Sequence, residues 1–183
     1  MYRDKTLIPT EAIRMCALGM LAEGPGKYGD LASGVRNFSS HIVGPSLDIL
    51  GPSIELLRYE GLAEAVEEAE APEDTVLAIT EAGQAELLEL LRSNVRAPMD
   101  DINKLVVALK FRFLHHLEPG ERRDQIDGLV RLCMNEHDRL SELRDQPTDQ
   151  PTDEGGGLSA WLDHDLGQLE TRIAWLEEYR NNL

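Results

Sequence analysis

From Ser53 the sequence reads SIELLRYEGLAEAV (53–66), then EEAEAPED (67–74), then, beyond Thr75 and Val76, LAITEAGQAEL (77–87). The change of period across this stretch decides the fold. Leu47, Leu50, Ile54 and Leu57 recur at helical spacing, and Gly61 stands where a helix closes on a left-handed glycine. Leu62 to Val66 and Thr75 to Ile79 are short β-compatible runs, and the Pro72 and clustered charges between them suit the tip of a hairpin. Thr80 is placed to cap a further helix whose apolar face carries Leu87, Leu88, Leu91 and Val95.

Two more helices precede this stretch. Thr10 is an N-cap candidate for the first, in which Ile13, Cys16, Ala17, Met20 and Leu21 follow at helical spacing until Gly24-Pro25-Gly26 ends it. Tyr28, Leu31, Ala32 and Val35 mark the second. Three helices, a hairpin and a helix is the order of a winged helix-turn-helix domain, one of several arrangements that periodicity alone allows for an α+β domain of this size.

The second half of the chain is helical throughout. Pro98, in VRAPMDD (95–101), breaks the helical pattern and the acidic residues after it can open a new helix. That helix carries Ile102, Leu105, Val106, Leu109, Phe113 and Leu117, and a second, across 121–144, carries Ile126, Leu129, Val130, Cys133, Leu140 and Leu143. A repeated QPTD followed by three glycines (145–157) has nothing to bury and reads as a mobile loop. The last helix places Leu162, Leu166, Leu169, Ile173 and Leu176 at alternating spacings of 4 and 3, a heptad seam that a monomeric three-helix layer could cover but that suits dimerisation better. The expected fold is mainly α with a small β-hairpin wing. A winged helix-turn-helix domain occupies residues 1–96 and a C-terminal helical dimerisation region occupies 97–183.

Charge narrows the functional classes. The 183 residues hold 34 Asp and Glu against 18 Lys and Arg, a formal charge of −16. Residues 1–96 contain 8 basic and 16 acidic residues and 97–183 contain 10 and 18, so each half stands at −8 and neither is a basic module. Indiscriminate nucleic-acid binding is disfavoured, because counterion release supplies nearly all of that affinity. The longest run without a charged residue, Asn37 to Leu47, is far short of the roughly 20 residues a spanning helix needs. With no signal-peptide pattern and only two distant cysteines, Cys16 and Cys133, the expected location is cytoplasmic and no membrane association is expected.

Enzymatic chemistry finds little purchase. His115 and His116 are neighbours on a helix and diverge by about 100°, so they cannot chelate one metal from that element. Asp163-His164-Asp165 diverge in the same way. Neither cysteine has a partner base, and the glycines sit outside any phosphate-cradling context. No catalytic residue, metal site or cofactor is expected. Lys104, Lys110, Arg112, Arg122 and Arg123 form a locally basic stretch, read either as a secondary anion contact or as ion pairing with acidic neighbours.

The element order, together with SIELLRYEGLAEAV, LAITEAGQAEL and LKFRFLHHLEPGERR (109–123), resembles the PadR-like transcriptional regulators. The resemblance implies a homodimer with two winged domains that address an operator, and a small-molecule effector whose identity the residues do not specify. It implies DNA-binding positions at Lys27, Tyr28 and Arg36 for phosphates and at Ser39, Ser40, Ser46, Asp48 and Ser53 near bases. The alternative for these residues is that Tyr28 is half-buried and the serines serve as caps and turn formers. Trp161 and Trp175 flank the seam, either lining an effector pocket or packing at the dimer interface.

Two departures from the family pattern stand out. In SLDILGPSIELL (46–57), Pro52 matches the family's helical proline but Gly51 falls where a DNA-facing tyrosine would be. No Lys or Arg occurs between Arg58 and Arg92, an interval with 10 acidic residues that include Glu67, Glu68, Glu70, Glu73 and Asp74 at the wing. Such a wing repels phosphates. It motivates a second reading: a winged-helix interaction module that has lost DNA binding and presents its acidic wing to a protein partner.

Overall fold

Helix α1 (Pro9–Glu23) buries Ala12, Ile13, Met15, Cys16, Ala17, Leu18 and Leu21, so it is apolar around most of its circumference and becomes the central helix of its unit. The computed structural model describes residues 7, 9–43, 51–67, 69–95, 101–145 and 157–183. These divide into two compact units, Met1–Leu117 and Glu118–Leu183.

In the first unit α1 is followed by strand β1 (Gly26–Lys27), α2 (Tyr28–Val43), α3 (Gly51–Tyr59), β2 (Ala63–Glu67), β3 (Val76–Ile79), α4 (Glu81–Arg92) and α5 (Asp101–Phe113). The first helix begins at Pro9 rather than after a Thr10 cap, since proline suits a first turn whose N–H groups have no intrahelical acceptor. β1 has no counterpart in the sequence reading, because two residues cannot display an alternating pattern. It pairs antiparallel with β3, Gly26 opposite Leu77 and Lys27 opposite Val76, giving a three-stranded sheet of order β1-β3-β2. β2 pairs with β3 from Ala63 opposite Ile79 onward, with a bulge between Ala65 and Glu67.

The joints follow local chemistry. α3 ends in a Schellman turn: Gly61 has φ 73°, its N–H donates to the Arg58 carbonyl at 3.0 Å, and the Leu62 N–H donates to the Leu57 carbonyl at 2.8 Å. The Thr80 hydroxyl caps α4, accepting from the Gly83 N–H at 3.0 Å. Arg14 of α1 reaches Glu60 at 2.8 Å and Glu86 at 3.3 Å, tying α1 to the end of α3 and to α4.

Helix α5, which the sequence reading grouped with the C-terminal region, packs on α1 and α2. Its Phe113 ring lies against Gly19, where a Cβ would come within 2.5 Å of the ring. Lys110 is 2% exposed, and its ammonium donates to the Leu91 carbonyl at 2.5 Å, near the end of α4. Burial lowers its pKa to about 7. Arg112 stacks over Phe38 and Phe113 and lies 3.8 Å from Glu23. The expected basic stretch is therefore not a continuous solvent face. A short turn, Leu114–His116, closes the unit, with His115 exposed and the His116 Nε2 buried without a hydrogen-bond partner among the described residues.

The second unit is a pair of long helices, α6 (Pro119–Asp145) and α7 (Gly157–Asn181). Leu162, Leu166, Leu169 and Leu176 are buried, Ile173 is half-buried, and the facing side chains are Ile126, Leu129, Val130, Cys133 and Leu140. Within the chain the heptad seam is covered by α6. Two antiparallel helices of matching length bury each other's apolar stripes without a second copy. Arg180 fixes one end through Asp127 at 2.6 Å. Trp161 and Trp175, 51% and 50% exposed, stand outside that seam, and Trp175 lies 5.7 Å from the Tyr179 ring. The loop expected over 145–157 falls almost wholly outside the described residues. No helix among them is long and apolar enough to cross a membrane.

Candidate nucleic-acid interface

A helix-turn-helix touches the DNA backbone with its first helix and the bases with its second, and α2 and α3 occupy those places here. The wing fixes where α2 begins. The Tyr28 N–H, one of the donors a helix start leaves without an intrahelical acceptor, donates to the Thr75 carbonyl at 2.9 Å. The wing tip, a single turn at Pro72–Asp74, packs against the start of α2, and a Cβ on Gly29 would come within 3.2 Å of the Glu73 carbonyl oxygen.

Of the expected contact residues, three are brought to the surface of this head. Lys27 is exposed on β1, but its ammonium lies 2.8 Å from the Asp74 carboxylate, and that hydrogen bond raises its pKa. Tyr28 is half-buried, and its phenol is pushed up first by burial and then by the nearby Glu55 carboxylate. Arg36 is exposed on α2.

The serines divide differently. Ser39 is 1% exposed, and its hydroxyl donates to the Val35 carbonyl at 2.7 Å, so it cannot reach a base. This corrects its assignment as a contact: it faces the core side of α2 and satisfies itself within the helix. Ser40 is half-exposed and donates to the Asn37 carbonyl at 3.0 Å. Ser46 and Asp48 lie outside the described residues, as does the side chain of Ser53.

Sequence reasoning passed over the open end of α3. Tyr59 is 90% exposed, and with Arg58 it lines a groove between α3 and the wing that also includes Tyr28, Glu55, Glu64 and Pro72. The signal was present: Tyr59 falls off the apolar period set by Ile54 and Leu57, and an aromatic off the core face needs another reason to be there. The groove is mixed in charge, with Arg58 set against Glu55 and Glu64.

Both cysteines are buried. Cys16 is buried, which pushes its thiol up to about 12, and burial raises Cys133 as well. Among the described residues no group of three or more His, Cys, Asp and Glu side chains could hold a metal ion.

The order of elements, the three-stranded sheet and the placement of α2 and α3 define a winged helix-turn-helix protein. Residues 2–180 match the family model described as "Putative AphA-like transcriptional regulator", and the chain belongs to that family, in keeping with the PadR-like motifs of its sequence. Similar solved structures include Bacillus subtilis PadR in complex with operator DNA, 18% identical, covering 93% of this chain and 97% of that one with a TM-score of 0.37. The same protein in complex with p-coumaric acid is 16% identical, with 93% and 97% covered and a TM-score of 0.36. The protein smu.1604c from Streptococcus mutans UA159 is 20% identical, with 91% and 96% covered and a TM-score of 0.39. No curated protein matches the chain.

Proposed function

We propose that this protein is a homodimeric transcriptional regulator that binds an operator through α2, α3 and the wing. The observation that carries the reading is family membership along nearly the whole chain, joined to a winged head with Arg36, Arg58 and Tyr59 on its surface. Few cations line this head, so phosphate contacts supply little non-specific affinity, the salt dependence is shallow and recognition is site-dependent. The dimer contact belongs to the C-terminal helices. Within them, the α7 face of the exposed Trp161 and Trp175, with the half-buried Tyr179, is the better candidate than the leucine seam, which α6 covers. Selection of bound fragments at about 50 mM salt tests the reading; enrichment of one two-fold symmetric site supports it, and no enrichment rejects it.

A second reading keeps the fold and replaces DNA with a basic protein partner. The observation favouring it is that Lys27, which lies beside the wing tip, already pairs with Asp74, while Glu55 and Glu64 line the neighbouring groove. Affinity capture with wild-type protein and with a charge-reversed wing separates the two readings. A stoichiometric partner that is lost on reversal, without DNA occupancy, would favour the interaction module.

A further inference from the structure

The wing tip is tied down on several sides. Its turn is closed by the Asp74 N–H donating to the Ala71 carbonyl at 3.0 Å and the Thr75 N–H donating to the Pro72 carbonyl at 3.3 Å. Thr75 is buried, its carbonyl accepts from the Tyr28 N–H, and the Glu73 backbone rests against Gly29. Lys27 is held from the other side by the pairing of β1 with β3, which sets it opposite Val76. Backbone on both sides therefore sets Asp74 beside Lys27, and Asp74 Oδ1 and Lys27 Nζ lie 2.8 Å apart with both side chains about half exposed. Asp30 and Glu67 act on the same ammonium from α2 and β2.

We infer that Asp74 is an affinity-setting residue: its carboxylate occupies Lys27 in the manner of a DNA phosphate, so this lysine adds to DNA binding only when Asp74 is displaced. The inference rests on the DNA-binding reading above. A phosphate that must displace a carboxylate from the ammonium wins less free energy than one that meets an unpaired ammonium, since the lysine is already neutralised before the DNA arrives. The arrangement lowers non-specific affinity while leaving the reading helix untouched. Because the pair is exposed, the effect is a modest one, of about two- to five-fold.

The test uses the full chain, a duplex from its own upstream region, and the variants Asp74→Asn, Lys27→Met and the double variant. Affinity is followed by fluorescence anisotropy as a function of salt. Asp74→Asn is expected to tighten binding about two- to five-fold at about 50 mM salt and to steepen the dependence of log K on log salt by about 0.9 per bound chain. Lys27→Met alone is expected to weaken binding, because it leaves the Asp74 carboxylate without its cation, and in the double variant the gain is expected to be erased. No gain in Asp74→Asn, or a gain that survives in the double variant, overturns the inference, the latter by reducing it to bulk charge. Wild-type binding without the Asp74→Asn effect removes the inference alone. Absence of binding by all four proteins removes the DNA-binding reading together with it.

Discussion

Gly83, the third residue of α4, lies so close to the Leu62 carbonyl that a Cβ at position 83 would overlap its oxygen. The same carbonyl accepts from the Thr80 N–H at 3.1 Å, and the Thr80 hydroxyl donates to the Gly61 carbonyl at 2.7 Å while accepting from Gly83. The Thr-x-x-Gly motif is thus a clamp that joins the end of α3, the start of β2 and the start of α4. Gly83→Ala should destabilise the protein by about 3 kcal/mol or more, because the obstacle is backbone and cannot rotate away. Thr80→Ala should cost about 1 kcal/mol through loss of the cap. Urea unfolding of the full chain measures both, and a wild-type midpoint for Gly83→Ala would contradict the clamp.

Lys110 makes stability depend on pH. Its folded pKa, about 7, lies below the ordinary 10.5, so between those values the unfolded chain binds more protons and stability rises with pH. Below pH 7 the amine is charged in both states, and the burial penalty is present in full. Relative to Lys110→Met, which has no titrating group there, the wild type should gain stability from about pH 7 to 9, at no more than about 1.4 kcal/mol per pH unit. Below about pH 6 the difference should be flat. Denaturant unfolding across that range decides the matter, and parallel curves for the two proteins would exclude the effect.

The two faces of α7 should separate in mutagenesis. Leu166 is buried against α6, so Leu166→Ala should cost about 2–5 kcal/mol of folding stability. Trp175→Glu, on the exposed face, should leave the helical content intact and weaken self-association. Sedimentation equilibrium with circular dichroism reads both quantities. A Trp175→Glu protein that associates as the wild type does would place the dimer contact elsewhere.

Arg36 is exposed on α2, the helix proposed to meet the DNA backbone. Arg36→Ala should weaken binding to every duplex by a similar factor and reduce the salt slope by about 0.9 per bound chain, the signature of a lost phosphate contact. A change confined to one operator sequence would instead mark Arg36 as a base reader.

Much of this architecture was legible in the residues. The change of period around Gly61 and Thr80 located the end of α3, the hairpin and the cap of α4, because each boundary rests on local chemistry. What depends on partners distant in sequence was not. Two-residue β1 exists through its pairing with β3. Lys110 reads as a surface cation until α5 is laid against the end of α4, and the spacing of the α7 leucines does not say that α6 is what covers them. At the site, Ser39 continues the face of Leu31 and Val35 at helical spacing, so its inward position was readable from the period, but a hydroxyl side chain there gives no apolar signal. Nor could composition show that Asp74 reaches Lys27, 47 positions away.

The most direct test of the account is the equilibrium binding of the full chain to a duplex from its own upstream region at about 50 mM salt, with stoichiometry and salt slope measured together. The account predicts two chains per duplex at one preferred site and a shallow slope, as few cations face the DNA. Failure to prefer any site under those conditions would contradict it.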